Sequence, residues 1–150
     1  MKQLLFLFAT LFLFNACSKD LSPEEQLVKD LDKIQDYLTE NNLTAQSLPS
    51  GLHYIIEVSG SAEHPTLDDQ VTVHYKGYFL DGDVFDQTSG TPITFSLGGV
   101  IEGWQQGITL FGKGGKGVLL LPSYLAYGTN PPSGIPKNAV MIFDVELVDF

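Results

Sequence analysis

Between residues 23 and 40, apolar side chains recur every three or four positions, which is the spacing of one face of an amphipathic helix. Ser22 before Pro23, with Glu25 three residues after Ser22, predicts a capped start to this helix, and Asn41-Asn42 predicts its end. Asp and Lys fill the opposite face. The apolar face consists of Leu27, Leu31, Ile34 and Leu38.

Two heptads are too few to indicate a coiled coil. We therefore expect this helix either to rest against its own domain or to space the domain from a membrane, with dimerisation as the alternative. The polar residues 43–50 that follow predict a linker.

After residue 50 the apolar spacing falls to two, the period of a half-buried strand. In residues 71–79, Val, Val, Tyr and Phe alternate with Thr, His and Lys. Asp81-Gly82 predicts a two-residue hairpin turn of the primed type, because such a turn needs positive φ. The fully apolar residues 118–121 predict a central strand that is buried on both sides. Further strands are predicted at 52–58, 84–86, 93–95 and 140–150.

One short helix interrupts the strands. Val100, Ile101, Trp104 and Ile108 share a helical face, so we predict a helix of about two turns from Val100 to Ile108. Residues 128–139 hold three Pro and two Gly and predict a loop. Together these elements predict an α+β domain: an antiparallel β-sheet wrapped around a short helix, preceded by the N-terminal amphipathic helix.

The N-terminus carries an apolar run from Leu4 to Phe14, preceded by Lys2. A helix of 11 residues is too short to cross a hydrocarbon core of roughly 30 Å, but it has the length of a signal-peptide core. Cys17 directly follows the small residue Ala16, which resembles a bacterial lipoprotein signal. That resemblance implies cleavage before Cys17 and acylation of its thiol. The alternative is a cleaved secretory signal with a cysteine nearby by chance.

These patterns divide the chain into a signal peptide (1–16), a lipid-anchored N-terminal segment (17–50) with a helix at about 23–40 and a linker, and a domain (51–150). Anchoring by two or more acyl chains is stable where one is marginal. We therefore expect a location in the cell envelope outside the cytoplasm, on the periplasmic face of an outer membrane or on the cell surface.

Charge and composition exclude several other functions. The formal charge is −10 and the chain has no Arg, so a phosphate backbone would be repelled and nucleic acid is not an expected partner. A single cysteine allows no internal disulfide. The three histidines are not joined by acidic or thiol residues at metal-ligand spacing, so no metal site is predicted.

Four collinear stretches resemble FKBP-type peptidyl-prolyl cis–trans isomerases, the macrolide-binding immunophilins. They are VTVHYKGYFLDGDVFD from Val71, VIEGWQQGI from Val100, PSYLAYG from Pro122 and IPKNAVMIFDVELV from Ile135. The resemblance covers about residues 50–150, which identifies 51–150 as the isomerase domain. One departure concerns Asp86: many family members carry a basic residue shortly after the corresponding acid, and residues 87–94 contain none.

The resemblance implies an apolar pocket between sheet and helix, with Trp104 at its floor and with the Ile101 amide and the Tyr127 hydroxyl facing the substrate carbonyls. It implies no metal and no organic cofactor. The implied catalytic residues are Tyr75, Phe85, Asp86, Ile101, Trp104, Tyr127 and Phe143. The implied substrate-binding residues are Phe95, Val100 and Ile135.

The expected function is isomerisation of X-Pro bonds in secreted or envelope proteins. The alternative is a catalytically weak FKBP-like chaperone or binding lipoprotein. Expected partners are proline-containing polypeptides, macrolide inhibitors and, through the lipid anchor, a membrane. The oligomeric state is left open.

Overall fold

The computed structural model describes residues 21–150. The predicted signal peptide 1–16 and the predicted lipid-bearing Cys17 lie outside the described residues. Within residues 21–150, none of the helices is both long and apolar enough to span a bilayer.

The N-terminal amphipathic helix, α1, spans Pro23–Glu40. Its start is the predicted capping box: the Glu25 N–H donates to Ser22 Oγ at 3.2 Å, and the Ser22 N–H donates to Glu25 Oε2 at 2.8 Å. These bonds satisfy two backbone donors that a helix start otherwise leaves without partners. At the other end, the Asn41 side chain donates to the Tyr37 carbonyl at 2.8 Å.

Seven strands form one sheet in which every pairing is antiparallel, as the fold prediction required. The strands are β1 (Gln46–Ser47), β2 (His53–Val58), β3 (Gln70–Tyr78), β4 (Val84–Gln87), β5 (Ile93–Ser96), β6 (Lys116–Leu121) and β7 (Met141–Asp149). Their spatial order is β1-β2-β6-β7-β3-β4, and β5 also pairs with β3. A second helix, α2, spans Glu102–Ile108 and lies between β5 and β6 in sequence.

Three local features differ from the sequence prediction. Helix α2 begins two residues later than predicted, because Ile101 has the extended ψ of 147° and serves as the N-cap. The segment predicted as a linker contains β1, which pairs with β2. The prediction of a two-residue turn was also wrong. Three residues, 80–82, separate Phe79 from Asp83, and Gly82 has φ of 90°.

Helix α2 lies close to one face of the sheet because two of its glycines face β6. A Cβ at Gly107 would lie 2.5 Å from the Leu119 side chain, and a Cβ at Gly103 would collide with Leu121. These glycines thus let α2 approach the sheet and carry Trp104 and Ile108 into the main core.

Helix α1 covers the opposite face of the same sheet. Its buried residues Ile34 and Leu38 pack against Leu120 of β6, Ile142 of β7 and Val140, which directly precedes β7. In β6, therefore, Leu119 and Leu121 face one core and Leu120 faces the other. This two-sided burial explains the continuous apolar run predicted to be a central strand. Of the two placements expected for the helix, the structure has it resting against its own domain.

Replacing Ile34, which is fully buried, with Ala should lower the free energy of unfolding by about 2–5 kcal/mol, the usual cost of such a cavity. The control is Val28→Ala on the same helix, since Val28 is 59% exposed, and its effect should stay within about 0.5 kcal/mol. Urea unfolding followed by circular dichroism measures both. Equal stabilities for the two variants would show that α1 does not pack on the sheet in solution.

Candidate active site

A cavity of about 480 Å³ opens between α2 and the part of the sheet formed by β3, β4, β5 and β7. Its walls are mostly aromatic and aliphatic, with one carboxylate at the edge. The lining residues are Tyr75, Phe85, Asp86, Ile93, Phe95, Gly99, Val100, Ile101, Trp104, Tyr127 and Phe143.

Trp104 forms the centre of an aromatic cluster at this cavity and is only 5% exposed. Its ring lies 5.1 Å from Tyr75 and 5.2 Å from Phe143, both edge to face, and 5.4 Å from Phe95. Edge-to-face pairs place the positive ring edge on the negative ring face and stabilise the arrangement beyond area burial. The cluster therefore provides a preformed apolar surface.

Phe85 completes the aromatic wall, and Gly77 makes room for it. The Phe85 and Phe143 rings are 5.5 Å apart and nearly perpendicular. Gly77 pairs with Asp86 on β4 and with Phe143 on β7, so it lies beneath both rings. A Cβ at Gly77 would lie 2.5 Å from the Phe85 ring and 2.9 Å from the Phe143 ring.

Asp86 lies at the edge of the cavity and accepts a hydrogen bond from the Tyr75 hydroxyl at 2.5 Å. Burial, and secondly this hydrogen bond, raise the pKa of Tyr75 well above its usual value, so the phenol stays protonated and donating at neutral pH. None of the salt bridges within residues 21–150 includes Asp86. Its partner is thus a neutral phenol, in keeping with the absence of a basic residue after it in sequence.

The backbone that enters α2 forms another edge of the cavity. The Gln105 side chain donates to the Val100 carbonyl at 2.7 Å, and the Ile101 carbonyl accepts from the Trp104 N–H at 2.9 Å. These bonds hold the peptide groups on either side of Ile101. The Ile101 N–H itself has no partner among the hydrogen bonds of residues 21–150, which leaves a donor at the cavity.

Tyr127 follows a short 3₁₀ helix, Ser123–Leu125, and closes the remaining side of the cavity. It is 40% exposed and also borders a second cavity, of about 640 Å³, that lies against α1. The residue therefore borders both cavities.

The structure brings all but one of the sequence-predicted site residues to this cavity. The exception is Ile135, which does not line it. The turn in which the Ile135 N–H donates to the Pro132 carbonyl at 3.2 Å leaves that side chain half-buried against the main core.

Two residues that line the cavity were not predicted, Ile93 and Gly99. Ile93 stands two positions before Phe95 on β5, so the period of two could have placed both on one face. No local pattern indicates Gly99.

No group of three or more His, Cys, Asp or Glu residues within residues 21–150 is arranged to hold a metal ion.

Residues 61–148 match the protein family described as FKBP-type peptidyl-prolyl cis-trans isomerase, a match that covers more than half of the chain. The chain belongs to the FKBP family. The antiparallel sheet around α2 and the aromatic cavity are thus the framework of an FKBP domain.

This FKBP chain is similar to the isomerase FkpA of Aeromonas hydrophila, with 41% identity over 129 residues, which cover 83% of this chain and 48% of that protein. Its fold is similar to the crystal structure of FkpA from Escherichia coli, with TM-score 0.72 and 33% identity over 87% of this chain and 74% of that chain. It is also similar to a peptidyl-prolyl isomerase structure from Pseudomonas syringae pv. tomato, with TM-score 0.70 and 27% identity. That match covers 87% of this chain and 97% of the Pseudomonas chain.

This FKBP chain spans less than half the length of the curated FkpA proteins that it matches. The similarity to them therefore concerns the FKBP domain and the residues directly before it.

Gly77→Ala should disturb the aromatic wall, because the new methyl group must displace the Phe85 ring. We expect the free energy of unfolding to fall by about 1–3 kcal/mol, as overpacked cores do, with a change in the fluorescence of Trp104, the only tryptophan. The matched control is Gly99→Ala, whose nearest neighbour would be 4.0 Å away. Wild-type stability and fluorescence in Gly77→Ala would contradict the close contact.

Proposed function

We propose that this protein catalyses cis–trans isomerisation of X-Pro bonds in polypeptides. The observation that carries the proposal is the aromatic cavity around Trp104 in a chain of the FKBP family, with hydrogen-bonding groups at its edge. Its size and apolar walls suit a prolyl ring, and its open side leaves room for the flanking chain.

The reaction is slow in water because amide resonance resists rotation, with a barrier of roughly 18–20 kcal/mol. In the twisted transition state the prolyl nitrogen is no longer conjugated with the carbonyl. A polar solvent stabilises the planar amide more than the twisted one. An apolar cavity removes that preference and so lowers the barrier.

The Trp104 cluster supplies such a surface, and Phe85 and Phe143 shield it from water. The Ile101 N–H and the Tyr127 hydroxyl are donors suited to the substrate carbonyls on either side of the prolyl bond. Asp86 keeps the Tyr75 ring in place through their hydrogen bond. Such contacts accelerate the reaction only as far as they bind the twisted state more tightly than the planar one.

No covalent bond forms or breaks, so this mechanism needs no nucleophile and no proton transfer. None of the histidines lines the cavity: His53 contacts Gly51, His64 contacts Thr109 and His74 contacts Thr88. A protease-coupled assay on a proline tetrapeptide, with protein lacking residues 1–16, tests the activity directly. A rate equal to the uncatalysed one would leave the alternative function, a catalytically weak FKBP-like chaperone or binding protein.

Side-chain replacements at the cavity should follow a graded order. Tyr127→Phe removes one neutral hydrogen bond and should lower kcat/KM by about twofold to tenfold. Phe85→Ala admits water and removes a wall, so its loss should exceed about tenfold. Asp86→Asn should fall between these two. The same tetrapeptide assay measures all three.

The control for this series is Tyr78→Phe. Tyr78 also donates to a carboxylate, Asp144, at 2.9 Å, but it packs on the α1 side of the sheet. The kcat/KM of this variant should stay within about twofold of the wild type.

The rate of the wild-type protein should be nearly flat from about pH 6 to pH 8, because the mechanism involves no proton transfer. A steep rise through the histidine range near pH 6.5 would contradict the mechanism.

We further propose that macrolides bind in the same cavity and compete with substrate. We expect their affinity to differ from that for family members in which a basic residue follows the corresponding acid, because Asp86 pairs with Tyr75 and with no basic residue among residues 21–150. Competitive inhibition in the tetrapeptide assay would support this proposal, and the absence of inhibition would contradict it.

We propose that the protein works in the cell envelope, attached to a membrane by acyl chains on Cys17. The support is the apolar run of residues 4–14 followed by Ala16 and the single cysteine. Cys17→Ser should block lipid attachment and release the protein from the membrane fraction. Fractionation of cells that make each form, with a check that the signal peptide has been removed, measures this. Processed Cys17→Ser protein that stays in the membrane fraction would contradict lipidation.

A further inference from the structure

The core between α1 and the sheet contains a carboxylate that the mechanism does not use. Asp30, on α1, is fully buried, and it is the only charged residue that is buried within residues 21–150. Removing a carboxylate from water costs free energy unless it is hydrogen-bonded. Asp30 has such partners: Gln26 Nε2 donates to one oxygen at 2.7 Å, and the Ser123 N–H donates to the other at 2.9 Å.

The bond from Ser123 joins α1 to a distant part of the chain, 93 residues away in sequence. Ser123 is itself buried and is the first residue of the 3₁₀ helix that leads to Tyr127. Its N–H is free of intrahelical partners, as at every helix start. A charged acceptor makes such a bond shorter and stronger than a neutral one does.

The carbonyl of Ser123 then holds the backbone on both sides of Tyr127. The Ala126 N–H donates to it at 3.1 Å and the Gly128 N–H at 2.9 Å. Asp30 thus accepts from the N–H of the same residue, Ser123, whose carbonyl accepts the two backbone bonds that flank Tyr127. The tyrosine depends on this support, because it is 40% exposed and belongs to neither of the two apolar cores.

We propose that Asp30 is a positioning residue for catalysis: through Ser123 it orients the Tyr127 hydroxyl toward the substrate. This inference rests on the proposed isomerase function and deepens it. It makes α1 a part of the catalytic apparatus, although α1 contributes no residue to the aromatic cavity.

Two replacements distinguish the effect of the hydrogen bond from the effect of the side-chain volume at position 30. Asp30→Leu fills a similar volume and removes the acceptor, which leaves the Ser123 N–H buried without a partner. Asp30→Asn keeps one oxygen for Ser123, and its amide nitrogen can donate to Gln26 once that side chain turns its own amide. We expect kcat/KM to fall about threefold to tenfold in Asp30→Leu and to stay within about twofold in Asp30→Asn.

A double-variant cycle tests whether the effect passes through Tyr127. In a Tyr127→Phe background the hydroxyl is gone, so Asp30→Leu should cost less than about twofold in kcat/KM. The matched control is Ile34→Ala, one turn along the same helix. It also weakens the packing of α1, but it should leave kcat/KM unchanged in either background at a temperature where every variant is folded.

Amide hydrogen exchange supplies a readout that does not depend on activity. Relative to the slowest-exchanging amides of each variant, the Ala126 and Gly128 amides should exchange faster in Asp30→Leu than in wild type or Ile34→Ala. If Asp30→Leu fails to fold, Asp30→Ala removes the same acceptor without adding bulk, and the same results are expected from it.

The outcomes distinguish this inference from the function on which it rests. A wild-type protein without isomerase activity overturns the proposed function. An active wild type whose Asp30→Leu variant matches it in kcat/KM overturns only the positioning role. A loss in Asp30→Leu that persists fully in the Tyr127→Phe background, or that Ile34→Ala reproduces, also overturns it, since general destabilisation would then be the cause.

Discussion

The close approach of α2 to β6 is the constraint on which the rest of this structure depends. Gly103 and Gly107 present bare backbone to Leu121 and Leu119, so the helix lies nearer to the sheet than side chains at these positions would allow. That depth puts Trp104 within edge-to-face distance of aromatic rings from β3 and β7. The cavity is the space left beside those rings. It is therefore built by backbone packing and rigid side chains.

The sheet carries helices on both faces, and only one of these faces has the cavity. On the other face, α1 buries apolar side chains against β6 and β7, and its single buried carboxylate reaches the segment that carries Tyr127. Residues in contact through one hydrogen-bond network are energetically coupled. The N-terminal helix is thereby joined by a hydrogen bond to the segment that leads to the cavity. The carboxylate at the cavity edge has a different environment, since Asp86 is exposed and paired with a phenol.

Much of the fold could be predicted from local patterns, because those patterns report physical requirements of single elements. The Ser22–Glu25 capping box marks a helix start wherever the helix then packs. The alternation in residues 71–79 requires a strand with one apolar face, and the unbroken apolar run of residues 118–121 requires cover on two faces. Of the cavity residues that the family resemblance implied, the structure brings all except Ile135 to one cavity. Ile135 lies within a proline-rich loop, where no periodicity constrains the direction of a side chain.

Most elements, the family and most lining residues of the cavity could thus be predicted from the sequence, since they follow from periodicity, capping or motif. What the helices touch became clear only from the tertiary structure. The apolar stripe of α1 was compatible with packing on its own domain, with a spacer role or with a partner, because a stripe requires a cover without specifying it. The bond between Asp30 and Ser123 spans 93 residues, and a polar residue among helical Lys and Asp carries no mark of burial. The need for glycine at position 77 likewise arises only once β4 and β7 bring two rings over it, since the contact exists in space and not along the chain.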